Sequence, residues 1–260
     1  MLTESEILDT MFDIILKNSN KVGSYAFKGG YVLSKYYFKE ARCTTDIDMS
    51  ISNVVSFNML LGYLKPYLDS LVNSNEIVSY KYRPPKIIGN RSVSGSIGLC
   101  RKRHEEGVRP ENQKNIIFCK IDISIHDLSF GLMTQNDKAV SFSVERMLAD
   151  KISVLYLGKD KVLRRIRDCY DIYLYDYLNY ILDNEVFKRC LKYRNVDIYK
   201  ITTFEKLVNM DSNSLKFSLN RFLESGDRVD IMYVKDNNVT ADLIINRVLK
   251  VLDMLREGLK

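Results

Sequence analysis

Apolar residues first recur at helical spacing between Glu4 and Lys17, where Ile7, Leu8, Met11, Phe12, Ile14 and Ile15 form a stripe. Thr3 followed by Glu6 supplies a capping box, so a helix is expected there. Gly29 and Gly30 precede a second apolar stretch, Tyr31 to Phe38, which reads as a helix entered through a glycine turn. The period then drops to two. In Asp46-Ile47-Asp48-Met49-Ser50-Ile51, Ile47, Met49 and Ile51 share one face of an expected strand, and Asp46 and Asp48 share the other. Leu60 to Val72 returns to helical spacing, and Glu76 to Arg83 reads as a strand. Asn115 to Ile125 reads as another, with Ile121, Ile123 and Ile125 alternating against Lys120, Asp122 and Ser124. Ser143-Val144-Glu145-Arg146 opens a capped helix, and Arg164 to Tyr180, Glu185 to Tyr193, Ser212 to Leu223 and Ala241 to Leu259 are expected to be helices.

The texture changes near residue 140, from alternating strands to helices, which predicts two domains, 1–140 and 141–260. With 260 residues, 46% hydrophobic and 28% charged, the chain has an ordinary globular balance, which excludes wholesale disorder and fibrous repeats. The longest uncharged run, Met49 to Leu64, holds 16 residues and is interrupted by serines and asparagines, so no membrane segment is expected. The opening MLTESEILDTMF is acidic and lacks a basic region ahead of an apolar stretch, and a cytoplasmic location is expected. Five cysteines contain no CxxC pair, which points neither to a disulfide framework nor to a zinc site. The net charge of +6 permits an anionic partner without requiring one.

Chemistry enters with the aspartates. Asp46, Asp48 and Asp122 lie on polar faces of two expected strands, the donor set needed for two Mg²⁺ ions in phosphoryl transfer. A bare D-x-D also arises where two aspartates simply face water, so its company matters. That company is Gly29-Gly30 before it, whose backbone amides suit a phosphate, and Asp122 after it. The order glycine turn, helix, D-x-D strand, third-carboxylate strand resembles the DNA polymerase β-like nucleotidyltransferase superfamily. Five stretches narrow the resemblance: FKGGYVLSKYY (27–37), RCTTDIDMSI (42–51), KIDISIHD (120–127), SFSVERMLADKISVL (141–155) and RRIRDCYDIYLY (164–175). Together they resemble the successive motifs of the AbiEii family of nucleotidyltransferase toxins.

That resemblance implies an α+β fold: a polymerase β-like mixed sheet with helices, followed by a mostly helical C-terminal domain that closes the active-site cleft. It implies metal binding by Asp46, Asp48 and Asp122, with NTP as substrate and two Mg²⁺ as cofactors. Nucleotide contacts fall on Gly29, Gly30, Thr45, Lys151 and Asp171, and a further carboxylate needed for activity on Asp168, with Asp171 as second choice. Tyr31 departs from the Ser or Thr common after the glycine pair. The resemblance also implies a toxin of a type IV toxin–antitoxin or phage-defence system, with a separately encoded antitoxin and a tRNA acceptor.

Several residues keep two readings. Lys151 is either a solvated helix cation or, flanked by Met147, Leu148, Ile152 and Leu155, a cation facing the cleft. Asp168 and Asp171 are either functional or paired with Arg164, Arg165 or Arg167 through helical spacing. Seven cations between Lys81 and Arg103 and no acid, among glycines and serines, read as a mobile basic loop or hairpin for an RNA acceptor; Lys159 to Arg167 is a second basic run. Tyr170, Tyr173, Tyr175, Tyr177 and Tyr180 could stack on bases, but core packing is the favoured reading. His104 and His126 accompany no G-x-S-x-G or H-E-x-x-H pattern, and no P-loop is present, which argues against hydrolase triads, zincins and P-loop NTPases. Two alternatives remain: nucleotidyl transfer to a protein hydroxyl, and a non-catalytic nucleic-acid-binding module.

Overall fold

In the computed structural model, residues 2–22, 24–38, 41–88, 91–102, 109, 114–126, 128–157, 159–177, 181–200, 203–226 and 229–259 are described. The chain divides into two compact units, residues 1–36 with 44–141, and residues 37–43 with 142–260. The short segment 37–43 thus joins the second unit although it directly precedes the D-x-D strand of the first.

The first unit opens with α1 (Glu4–Lys17), where Thr3 and Glu6 form the expected reciprocal cap, followed by a short α2 (Ser19–Val22). Strand β1 (Tyr25–Lys28) runs into α3 (Gly29–Val32), which continues as a π-helical turn, Leu33–Tyr37. Then come β2 (Asp46–Ile51), α4 (Val54–Asn73), β3 (Ser79–Arg83), β4 (Lys86–Ile88), β5 (Arg91–Val93), β6 (Gly95–Lys102), β7 (Asn115–Ile125), β8 (Leu132–Thr134) and β9 (Val140–Phe142). Seven strands make a mixed sheet in the order β3-β6-β7-β2-β1-β9-β8, and β4 and β5 pair as a separate hairpin. Strands β2 and β7 are parallel neighbours, whereas β1 is antiparallel to β2.

Ile47, Met49, Ile51, Ile121 and Ile123 are fully buried on one face of the sheet, with Ile7, Met11, Phe12, Leu60, Leu64 and Leu68 of α1 and α4 also in the core. Each such side chain contributes roughly 1.5–3 kcal/mol on burial. Period-two alternation therefore commits Asp46, Asp48, Lys120 and Asp122 to the opposite face.

Helix α4 begins at Val54, earlier than the apolar spacing implies, because the Asn53 carboxamide caps the Ser56 amide at 3.1 Å. The strand expected from Glu76 begins only at Ser79. Asn75 adopts φ 60°, and the Glu76 and Ile77 amides donate to the Leu71 carbonyl at 2.9 and 3.3 Å, so these residues close the end of α4. Of the loop or hairpin expected for the basic stretch, the structure shows the hairpin, with β3 and β6 as antiparallel partners. Its residues 95–102 are β6, paired with β3 on one side and β7 on the other, and β4–β5 is the separate hairpin. The glycines and serines that suggested a loop fit a strand here because β6 lies inside the sheet. Gly89, Arg103 and His104 lie outside the described residues.

The second unit is helical after Phe142: α5 (Val144–Leu155), α6 (Lys159–Arg164), α7 (Arg167–Tyr177), α8 (Asn184–Tyr193), α9 (Thr203–Ser225), α10 (Ile231–Asp236) and α11 (Ala241–Gly258). The helix expected over 164–180 is divided at Arg165–Ile166 into α6 and α7. Helix α9 starts before the expected Ser212 and kinks at Asp211 (φ −150°, ψ 49°), whose carboxylate accepts the Ser214 amide at 3.4 Å and pairs with Lys159. Tyr170, Tyr173 and Tyr175 are buried, and Tyr170 donates to the Ala41 carbonyl at 2.9 Å, so the described part of this tyrosine run is core. Tyr180 and the Tyr177 side chain lie outside the described residues. No described helix is long and apolar enough to cross a membrane.

Candidate active site

In the first unit, β2 places Asp46 and Asp48 two residues apart on the face away from the core. The parallel register sets Asp122 directly beside Asp48, and Lys120 directly beside Asp46. On the other side of β2, Lys28 is the partner of Asp48. Its ammonium donates to the Ser124 hydroxyl at 2.5 Å, and Ser124 lies 3.4 Å from the Ser50 hydroxyl. Asp46 is buried, and its amide donates to Thr44 Oγ1 at 3.3 Å, while that same hydroxyl donates to the Asp46 carbonyl at 3.0 Å. Thr44 therefore fixes the entry to the strand, and Thr45 occupies the bend between them.

Gly29 stands against this group. Its φ of +67° lies in the left-handed region that favours glycine, and a Cβ there would overlap the Asp48 carboxylate. Glycine is thus required twice, by the backbone turn and by the close approach of Asp48. Gly30 follows in α3 and is buried. Tyr31, the departure from the usual hydroxyl residue, is buried and donates its phenol to Asp9 of α1 at 2.8 Å. Burial and the adjoining Asp9 hold that phenol far above its ordinary pKa. Its hydroxyl is therefore engaged in packing α3 onto α1.

Lys120 was not singled out by sequence reasoning, yet it is central. Its ammonium lies 2.7 Å from Asp122. Burial works against this charge, but the carboxylates of Asp122, Asp46 and Asp48 outweigh it and raise the lysine pKa. All three aspartates thus act on one cation, and their hard oxygens are the donor type that Mg²⁺ takes. The residues fit a divalent ion in chemistry. Among the described residues no three acidic, histidine or cysteine side chains are gathered closely enough to ligate one as they stand. The signal for Lys120 was available: it alternates with Asp122 on the same strand face.

The second unit holds the other predicted residues in one buried cluster. Lys151 Nζ, on α5, lies 2.7 Å from Asp168 and 2.8 Å from Asp171 of α7. Asp168 also takes Arg165 at 2.7 Å, the helical-spacing pair expected from sequence, whereas Asp171 takes Arg42 at 2.9 Å. Both aspartates are fully buried and Lys151 nearly so, so Lys151 is not a solvated surface cation. Burial opposes charge on Lys151, but Asp168 and Asp171 prevail and raise its pKa. Burial likewise opposes charge on Asp171, but Lys151 and Arg42 hold it below the ordinary carboxylate value. Arg42, buried and close to the D-x-D motif in sequence, was missed because a lone arginine ahead of β2 gives no periodicity to read.

A family model described as "Nucleotidyl transferase AbiEii toxin, Type IV TA system" matches residues 11–230. The chain belongs to this family. It is accordingly a nucleotidyltransferase of the toxin type, and the motifs that suggested the family fall within the matched residues. Among solved structures, a candidate nucleotidyltransferase from H. pylori is 15% identical, covering 99% of this chain and 97% of that one with a TM-score of 0.53, a likeness of fold. MenT4, a nucleotidyltransferase toxin from Mycobacterium tuberculosis, is 14% identical over 79% of this chain and 66% of that one, with a TM-score of 0.39. Among curated proteins none matches the chain.

Proposed function

We propose that this member of the family is a metal-dependent enzyme that transfers a nucleoside monophosphate from an NTP to an RNA acceptor, with tRNA as the acceptor class, and thereby arrests growth. The observation that carries the reading is the row Lys28–Asp48–Asp122, with Asp46 beside it and Gly29 packed on the Asp48 carboxylate. In the reaction an acceptor oxygen bonds to the α-phosphorus, the bond to the departing pyrophosphate breaks, and the hydroxyl proton is lost. Asp46, Asp48 and Asp122 would hold Mg²⁺, which when bound neutralises phosphate charge and lowers the pKa of an attacking hydroxyl. The chain's own contribution is positioning and charge. Gly29 and Gly30 offer a turn free of side chains to the triphosphate, Thr44 and Thr45 set the entry of β2, and Lys28 and Lys120 supply positive charge on the same face. Lys151 and Asp168 would join the site from the helical domain, with Asp171 orienting Lys151. The nucleotidyltransferase domain, 1–140, and the helical domain, 141–260, work in the cytoplasm with a separately encoded antitoxin, in toxin–antitoxin control or phage defence.

The test is transfer of label from each of the four α-labelled NTPs with Mg²⁺ and total bacterial tRNA, comparing the protein with its Asp46→Ala, Asp48→Ala double variant. Label in RNA that vanishes in the variant supports the reading. Label in protein would mean a protein hydroxyl is the acceptor, and RNA binding without label would mean a non-catalytic module.

A further inference from the structure

The sheet register points to an acceptor track beyond the aspartates: their face continues across β6 to edge strand β3, where Lys81 and Arg83, with Lys120, seat the phosphodiester backbone of the acceptor. This rests on the RNA reading above and names the surface that would serve it.

Direct partners in a ladder share a face. Asp122 is partnered by Ser96, and Ser96 by Arg83; Lys120 is partnered by Gly98, and Gly98 by Lys81. Two rows therefore cross the sheet side by side, Asp48–Asp122–Ser96–Arg83 and Asp46–Lys120–Gly98–Lys81. Adjacent strands lie about 4.8 Å apart, so Arg83 stands about 10 Å from Asp122 and Lys81 about 14 Å from Asp46 along the ladder. At those separations, beyond a Debye length of about 8 Å, the two cations do little to neutralise the aspartates. They serve an anion that extends away from them.

The middle strand keeps this face low. Between the cations β6 presents only Ser96 and Gly98. Ile117, 56% exposed, leans over Gly98, where a Cβ would come within 3.2 Å of its side chain. A small-residue floor with one exposed apolar side chain, flanked by cations, suits a ribose–phosphate chain. Lys81 and Arg83 are exposed and form no ion pair among the described residues, whereas Arg165, Arg194 and Arg247 are each tied to an aspartate. Charged edge strands also serve simply to block pairing with other sheets. That purpose would be met by charge on either face; here both cations lie in register with the aspartate rows.

The experiment compares the full chain with its Lys81→Ala, Arg83→Ala double variant in label transfer to tRNA and in tRNA binding across salt concentrations. The expected result is a KM for RNA raised at least tenfold with kcat within twofold. Each phosphate contact with a single strand contributes about 0.7 to the salt slope, so the slope should fall by about 1.4. The Lys81→Arg, Arg83→Lys variant should restore both. An unchanged KM and slope in a double variant of normal thermal stability overturns the track while leaving RNA as acceptor. Absence of label in RNA from the unmodified chain overturns the RNA reading and the track together, as does label in an acidic protein that depends on the same two cations.

Discussion

Asp48 and Asp122 are direct partners across the parallel strands β2 and β7. Parallel strands have no hairpin to bring them together, so two carboxylates some seventy residues apart in the chain meet through the sheet order alone. Asp48 also receives Gly29 against its carboxylate, which fixes where that carboxylate can lie.

Asp48→Ala should abolish label transfer and growth inhibition, by a factor on the order of a thousand, the scale expected where a fixed charge at the reacting centre is lost. The fold should survive, since the side chain lies opposite the Ile47, Met49 and Ile51 core face. Thermal unfolding within a few degrees of the parent, alongside lost transfer, is the expected pair of readings. Full toxicity in this variant would remove the carboxylate row from the mechanism.

Two glycines give opposite outcomes on substitution by alanine. At Gly29 the φ of +67° and the overlap with Asp48 both oppose a side chain, so Gly29→Ala should cost about 1–2 kcal/mol and displace the carboxylate, lowering transfer as well as stability. At Gly62, exposed within α4, a Cβ meets nothing within 4 Å, and Gly62→Ala should stabilise by about 1 kcal/mol. Urea unfolding of both variants checks the signs. Equal effects would mean that Asp48 does not approach Gly29 in solution.

Cys43 is exposed while Cys100, Cys119, Cys169 and Cys190 are buried, so brief iodoacetamide treatment of the native chain should alkylate Cys43 alone among the five. Burial, together with Asp230, raises its thiol pKa above the ordinary value, so the reaction should be slower than with a free thiol at the same pH. Mass spectrometry of the digested chain reads both points. Equal alkylation of Cys169 would contradict the burial of α7.

The site half on β2 and the end of β7 was legible in sequence because period-two alternation is strict over 46–51 and 120–125: every second residue is Ile or Met, and the others are Asp, Lys or Ser. The ladder then made Asp122 a neighbour of Asp48, which alternation alone could not assign. The stretch holding β6 was left between loop and hairpin because Gly95, Gly98 and its serines weaken the strand signal, and only the pairing on both sides decides for a strand. Arg42 became visible only through its partner, Asp171. Ion pairs between distant segments leave no local pattern. The capping box at Thr3 and Glu6 was read correctly because its whole mechanism lies within four residues.

The Lys151 cluster has a pH signature of defined sign. Asp171 is held below the ordinary carboxylate value of about 3.9, so its contribution to stability is present above that value and lost as pH falls through the lowered one. Lys151 is raised above the ordinary lysine value of about 10.4, so its contribution is present below that value and lost as pH rises through the higher one. Stability carried by the cluster should therefore be level between about pH 5 and pH 9 and decline on both sides. Lys151→Met leaves Asp168 with Arg165 and Asp171 with Arg42, but removes the cation the two aspartates share. Breaking a buried pair from one side costs about 3 kcal/mol or more, which denaturant unfolding near neutral pH should show. The same variant should lose most of the alkaline decline and keep the acid one, since Asp171 still faces Arg42. A Lys151→Met chain as stable as the parent at neutral pH, with an unaltered alkaline limb, would show that Lys151 does not bridge Asp168 and Asp171 in solution.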